Sequence, residues 1–197
     1  LTVGAGTGTQ GGGYRFFLKN DFGSSIQFVG SSVEWPGFLL DKRHDGHGGW
    51  STLDLINGRD GLGTAQQWVG TYQPNVVLLM TGRNDAWPWI DSFQNYSVLA
   101  NQLYAVRPGL TIIWSNVFMA LDQGPYDTQH CEVQDQALRQ VVSQQRALGR
   151  DVRYVDNYRR MRGIFDIFSD SVHLNDKGYA LFGKGWTKPL RLQKVGR

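Results

Sequence analysis

The sequence predicts an α/β protein: a three-layer α/β/α sandwich around a central parallel sheet. Three observations carry this. Val76-Val77-Leu78-Leu79-Met80 is a continuous apolar run, the pattern of a strand buried on both faces, and Leu110 to Val117 is the next apolar strand. Stretches of helical length separate the runs and follow them. Strand and helix then alternate at the spacing of a parallel sheet with crossovers. No internal repeat and no linker interrupts the pattern, so residues 1–197 are read as one domain with one sizeable core.

Taken in order, the first eight residues are glycine-rich and form a loop. Gly11-Gly12-Gly13 opens a helix from Tyr14 to Asn20, with Phe16, Phe17 and Leu18 as its apolar surface. A phosphate loop is set aside, because no strand precedes these glycines and no Gly-Lys-Ser/Thr follows them. Ser25 to Gly30 is predicted as a strand, and Ser31 to Asp45 as a polar loop. After Gly46-His47-Gly48-Gly49-Trp50-Ser51-Thr52, Leu53, Leu55 and Ile56 suggest a short helix. Gly63 to Tyr72 suggests another, ended by Pro74. The strand Asn75 to Thr81 leads into Gly82-Arg83-Asn84-Asp85. A helix from Asp91 to Val106 closes at Pro108-Gly109 before the strand Leu110 to Val117. A long helix runs from Asp127 to Leu148, a short strand from Val152 to Val155, and a last helix from Asp176 to Trp186.

Composition narrows the function. Hydrophobic residues make up 41% and charged residues 19%, which is globular rather than disordered. Net charge is +3. Arg159-Arg160 and Arg162 form the one tight basic group and read as a solvated loop. A nucleic-acid binder would show a basic stripe with interleaved aromatics. Cys131 is the only cysteine, which excludes an internal disulfide and a cysteine-rich metal site and leaves a buried or half-buried, inert thiol. No apolar run is long enough to span a membrane. No signal peptide pattern is present, and a leader removed during secretion fits the reading. Seven tryptophans suit flat ligands such as carbohydrate, with core packing as the competing explanation.

The chemistry gathers in three places. Asp170 and His173 stand three residues apart in a polar segment before the last helix. A carboxylate there can accept the Nδ1 proton of the imidazole and leave Nε2 to act as a base. Gly82 to Asp85 stand where sites collect in α/β sheets, at the C-terminal end of a strand. Asn84 can present its amide to a ligand while Asp85 fixes the loop, or it can simply shape a turn. Gly46 to Gly49 can be a tight turn or can expose a backbone N–H that no side chain shields.

In this order, the blocks resemble the SGNH (GDSL) hydrolase superfamily. Its pattern is an early Gly-Asp-Ser-x-Thr block, a glycine block, Gly-x-Asn-Asp and a late Asp-x-x-His. Gly46 to Ser51 match the second block, Gly82 to Asp85 the third and Asp170 to His173 the last. Gly12-Gly13-Tyr14-Arg15, Phe28-Val29-Gly30-Ser31 and His44-Asp45-Gly46-His47 are similar to carbohydrate esterase family 3, the acetylxylan-esterase-like branch. The resemblance implies the flavodoxin-like SGNH sandwich and a serine esterase without metal or cofactor. Its substrate would be a small acyl ester, acetyl above all, on a polysaccharide, and the protein would be secreted. It gives His173 as base, Asp170 as its orienting partner, and Gly49 and Asn84 as oxyanion donors. Trp50, Trp87 and Trp89 flank these blocks and are candidates to line a sugar site, or else pack the core or rim. No nucleic-acid or membrane partner is implied.

The sequence departs from the pattern at its start. Leu1-Thr2-Val3-Gly4 reads as the continuation of Gly-Asp-Ser, which puts the nucleophilic serine immediately before Leu1. No apolar run before Ser25 could supply a central first strand, so an upstream strand ending Gly-Asp-Ser is expected. Thr2 corresponds to the block's own threonine. Two other readings remain. One is a glycan-binding domain of the same fold without a nucleophile. The other is a lipase or lysophospholipase of the same superfamily, which the polar, tryptophan-bearing loops disfavour. The absence of a Gly-x-Ser-x-Gly elbow argues against an α/β-hydrolase.

Overall fold

A computed structural model of the chain describes residues 2, 4–5, 11–33, 41–85, 91–118 and 124–192. The chain divides into two compact units. One holds residues 1–48, 118–124 and 157–197, and the other holds 49–117 and 125–156.

The second unit carries a parallel sheet of three strands, β1 (Val76–Leu79), β2 (Thr111–Ser115) and β3 (Asp151–Val155), in the order β1-β2-β3. Val76 stands opposite Thr111, and Thr111 opposite Asp151. Parallel neighbours need crossovers, which α4 (Ser92–Val106) and α5 (Gly124–Ala147) provide. Two shorter helices precede the sheet, α2 (Thr52–Asn57) and α3 (Ala65–Tyr72). Each begins on a capping box, Ser51 with Asp54 and Thr64 with Gln67. Such boxes satisfy helix N–H groups that have no partner within the helix. The core lies around β2, whose five residues are all buried. Ile112 and Trp114 pack there with Leu99, Leu103, Leu138 and Val141.

The first unit is helical. α1 (Tyr14–Phe22), α6 (Asn157–Met161) and α7 (Asp176–Arg191) enclose an aromatic cluster. Tyr14 meets Phe182 edge-on at 5.5 Å, and Phe182 meets Trp186 edge-on at 5.6 Å. Rings in that geometry gain beyond their buried area. The buried Arg15 donates from Nε to the Thr2 carbonyl at 2.9 Å and from Nη1 to the Lys42 carbonyl at 2.7 Å.

Three expectations are corrected. The segment predicted as a strand from Ser25 to Gly30 ends a 3₁₀ turn (Gly23–Ser25) and then, from an extended Ile26, continues without a ladder. Side chains take the place of a partner strand: Asp41 accepts from Phe28 N–H, Lys19 donates to the Ile26 carbonyl and Arg43 to that of Gly30. Residue types that suit a strand do not say what pairs with the backbone. Residues 76–78 of β1 are half-buried rather than buried on both faces, since β2 is its one strand partner among the described residues. Arg159 and Arg160 belong to helix α6, not to a loop. Cys131 is free and buried, as its isolation suggested.

Candidate active site

Asp170 and His173 lie on a loop that folds back on itself before α7. Phe168 and Leu174 form an isolated antiparallel bridge. Inside it, Ser169 N–H donates to the His173 carbonyl at 2.8 Å. Ile167 and Leu174 anchor the base of the loop and are fully buried. Asn175 closes it by capping α7. Its side-chain oxygen accepts from Gly178 N–H at 3.0 Å, and its amide donates to the Asp166 and Phe168 carbonyls. Asparagine at this position satisfies a helix N–H that the helix itself leaves open.

Within that loop Asp170 uses both oxygens. Oδ1 accepts from the backbone N–H of Val172 at 2.8 Å and of His173 at 2.7 Å, and Oδ2 lies 2.8 Å from His173 Nδ1. The His173 N–H, then that of Val172, hold the carboxyl down at about 2. Hydrogen bonds to the charged form favour it. Asp170 is thus an anion at neutral pH, and the Nδ1 proton is fixed toward it. The side chains are 52% and 44% exposed, so the imidazole is open to solvent.

The Asn84 turn is built differently. Gly82 has φ +104°, and a Cβ there would stand 2.1 Å from the Tyr96 hydroxyl oxygen. Only glycine fits both conditions. His130 Nε2 sits 2.8 Å from the Gly82 carbonyl. A carbonyl only accepts, so Nε2 carries the proton. The Tyr96 hydroxyl contacts the Thr81 carbonyl at 3.3 Å and the Gln134 side-chain oxygen more closely. Burial pushes that phenol well above its ordinary value, so it stays a neutral donor.

Asp85 turns back, as its place in the block suggested. It accepts Thr52 N–H at 2.7 Å and the Thr52 hydroxyl at 2.9 Å. The Thr52 hydroxyl has then committed its proton, so the Thr81 hydroxyl, 2.9 Å away, donates to it. Asp85 thereby pins the start of α2 to the end of the β1 segment. Asn84 is exposed and donates from Nδ2 to the Trp50 carbonyl at 3.0 Å. An amide nitrogen carries two donors, so one remains for a ligand once this bond is made. Gly49, next to Trp50, is also exposed, at φ +76° with open space where a side chain would point.

The structure therefore joins Asp170 to His173, and Asn84 and Asp85 to the Gly49–Thr52 segment. The first pair belongs to one compact unit and the second group to the other. Trp50 is 8% exposed and packs on Trp68 at 5.8 Å, so its ring serves the core. Trp87, Trp89 and Leu1 lie outside the described residues. Thr2 contacts the Tyr14 hydroxyl at 3.3 Å. Sequence reasoning missed Thr52, Thr81, Tyr96, His130 and Gln134. Thr81 and Tyr96 lie in segments read for their apolar neighbours, Thr52 follows a stretch read for its glycines, and His130 and Gln134 are two among many polar residues of α5.

The GDSL-like lipase/acylhydrolase family model matches residues 1–181. The chain belongs to that family. The fold of this GDSL-like hydrolase is shared with solved carbohydrate esterases. A family 3 carbohydrate esterase of Clostridium thermocellum is 26% identical, with a TM-score of 0.74 over 95% of this chain and 90% of that one. A carbohydrate esterase family 3 protein of Talaromyces cellulolyticus is 23% identical, with a TM-score of 0.72 over 92% and 88%. A mutant acetyl esterase, solved with an acetate ion, is 22% identical, with a TM-score of 0.71 over 93% and 90%. No curated protein matches the chain. The mixed α/β architecture with its parallel sheet is the SGNH hydrolase fold, and the family places the chain among the ester hydrolases.

Proposed function

We propose that this GDSL-like hydrolase cleaves short acyl esters, acetyl above all, from a polysaccharide outside the cell. The observation that carries this is the Asp170–His173 pair, an ionised carboxylate 2.8 Å from Nδ1 of an exposed imidazole. The likeness to the Clostridium thermocellum family 3 carbohydrate esterase supports the substrate class.

In this reading the serine expected directly before Leu1 attacks the ester carbonyl, and His173 Nε2 takes its proton. The new oxyanion is received by the Asn84 amide, the Gly49 N–H and the serine's own N–H. When the tetrahedral adduct collapses, the alkoxide leaves with the proton from His173. Water then repeats the sequence on the acyl-serine and releases the carboxylate. Asp170 holds the ring and stabilises the imidazolium throughout.

A series of p-nitrophenyl esters from acetate to decanoate, with fluorophosphonate labelling and peptide mapping, tests this. Preference for acetate and a label on the serine preceding Leu1 are expected. A preference for long chains would make the protein a lipase-type member of the family. Neither turnover nor label would make it a glycan-binding domain.

A further inference from the structure

Charge is unevenly placed along the chain. Residues 157–197 hold nine of the 20 lysines and arginines but three of the 17 acidic residues, a net of +6, while residues 1–156 together are net −3. The helix α7 gives that excess a shape. Lys177, Lys184, Lys188 and Arg191 follow one another at spacings of seven, four and three. At about 100° per residue, they fall in one stripe roughly 21 Å long. All four are exposed, while Tyr179, Phe182 and Trp186 on the other side are buried.

Among the described residues little neutralises the stripe. Lys177 pairs with Asp166. Among the described residues no ion pair involves Lys184, Lys188 or Arg191. Arg191 lies over the Phe22 ring at 6.0 Å, and Asp21 accepts from Thr187 at 3.0 Å. A helix C-terminus favours cations in its last turn, which accounts for Lys188 and Arg191 but not for Lys184. Like charges at i and i+4, as at Lys184 and Lys188, cost stability. The stripe also begins four residues after His173, so it runs away from the proposed base along α7.

We propose that the α7 stripe binds a carboxylate-bearing polysaccharide, and that the ester substrate is an acidic, acylated polymer. The substrate half of this rests on the esterase reading above; the binding half does not. Two other polyanions fit less well. A nucleic-acid surface interleaves aromatics with its cations, and the stripe has none. A membrane-surface helix keeps an apolar face free for lipid, whereas the apolar face of α7 is buried inside its own unit.

Affinity electrophoresis in gels containing polygalacturonate, with neutral xylan as control, tests the binding. Retardation by polygalacturonate alone is expected, and it should weaken as salt shortens the screening length. The variant Lys184→Gln/Lys188→Gln/Arg191→Gln should lose at least about tenfold in affinity, with turnover of p-nitrophenyl acetate unchanged. Equal retardation by the two polymers, salt-independent binding, or a variant that binds like the wild type would overturn the proposal. So would tighter binding to vesicles containing phosphatidylserine or to DNA, which would assign the stripe to those partners. No aryl acetate turnover by the wild type, with polygalacturonate binding intact, would overturn the esterase reading and leave the anion site standing.

Discussion

Asp170 reaches His173 across three residues, and the hydrogen bonds that shape their loop come from residues 166 to 178. Asn84 stands in a turn held by groups far away in the chain. Tyr96 is 15 positions from Thr81, Thr52 is 33 from Asp85, and His130 is 48 from Gly82. The first loop is a local device and tolerates exposure, because its own backbone N–H groups fix the carboxylate. The second displays one amide from a platform of buried side chains, and its accuracy depends on all of them. Mutations in the two regions should therefore fail in different ways.

The largest effect belongs to His173→Ala. It removes the proposed base and should lower ester turnover by about 10⁴-fold or more, while the melting temperature holds, since the ring is exposed and makes few contacts. Steady-state kinetics with p-nitrophenyl acetate and a thermal melt check both parts. Wild-type turnover would remove His173 from the mechanism. Asn84→Ala comes next. It should lower kcat about 10²–10³-fold with KM little changed, as loss of a donor aimed at developing charge does. A raised KM at constant kcat would make Asn84 a ground-state binding residue instead.

Gly82→Ala sharpens the contrast, because it attacks the platform rather than the displayed group. The added methyl would meet the Tyr96 hydroxyl oxygen at 2.1 Å, at a φ of +104°. Overpacking and backbone strain together should cost on the order of 2–4 kcal/mol of stability. Urea unfolding measures that loss, and the same protein assayed below its transition should show a reduced kcat. A variant as stable as the wild type would mean that the turn is not held as tightly as these contacts require.

The same contrast explains what the sequence disclosed. Asp170-x-x-His173 and the Asn84-Asp85 pair are short words whose chemistry follows from the residues themselves. The apolar stretch from Leu110 to Val117 likewise announced β2 as a strand. The platform was invisible because His130, Gln134 and Tyr96 become partners of the Gly82 turn only after α4 and α5 cross over the sheet. Trp50 stood between two readings, a ligand-facing ring and a ring packed in the core. Its place beside the glycine block suggested a ligand-facing ring, but the buried position of Trp68 gives the ring a core to join, and burial of an indole outweighs most surface roles. The segment after Ser25 looked like a strand because its residue types suit extended backbone, and Asp41, Lys19 and Arg43 were too remote in sequence to reveal themselves as its hydrogen-bond partners.

The smallest effect separates the two regions by pH. The Asp170 carboxyl is lowered from 3.8 to about 2 in the folded protein, first by the His173 N–H. A carboxyl depressed on folding contributes stability that is fully present above its unfolded value and is lost as pH falls through its folded value. The wild type should therefore lose this contribution between about pH 4 and pH 2. Asp170→Asn has no charge to lose, so the gap in melting temperature between the two should close over that window. The gap is expected to be small, since the group is half exposed and solvent screens it. Gly82→Ala, whose cost is steric, should keep a gap from the wild type that does not follow this titration. Parallel melts of the three proteins from pH 6 to pH 2 make the comparison. A wild-type to Asp170→Asn gap that stays constant to pH 2 would mean that the backbone N–H groups of Val172 and His173 do not hold the carboxylate in solution, and that the base is oriented by some other contact.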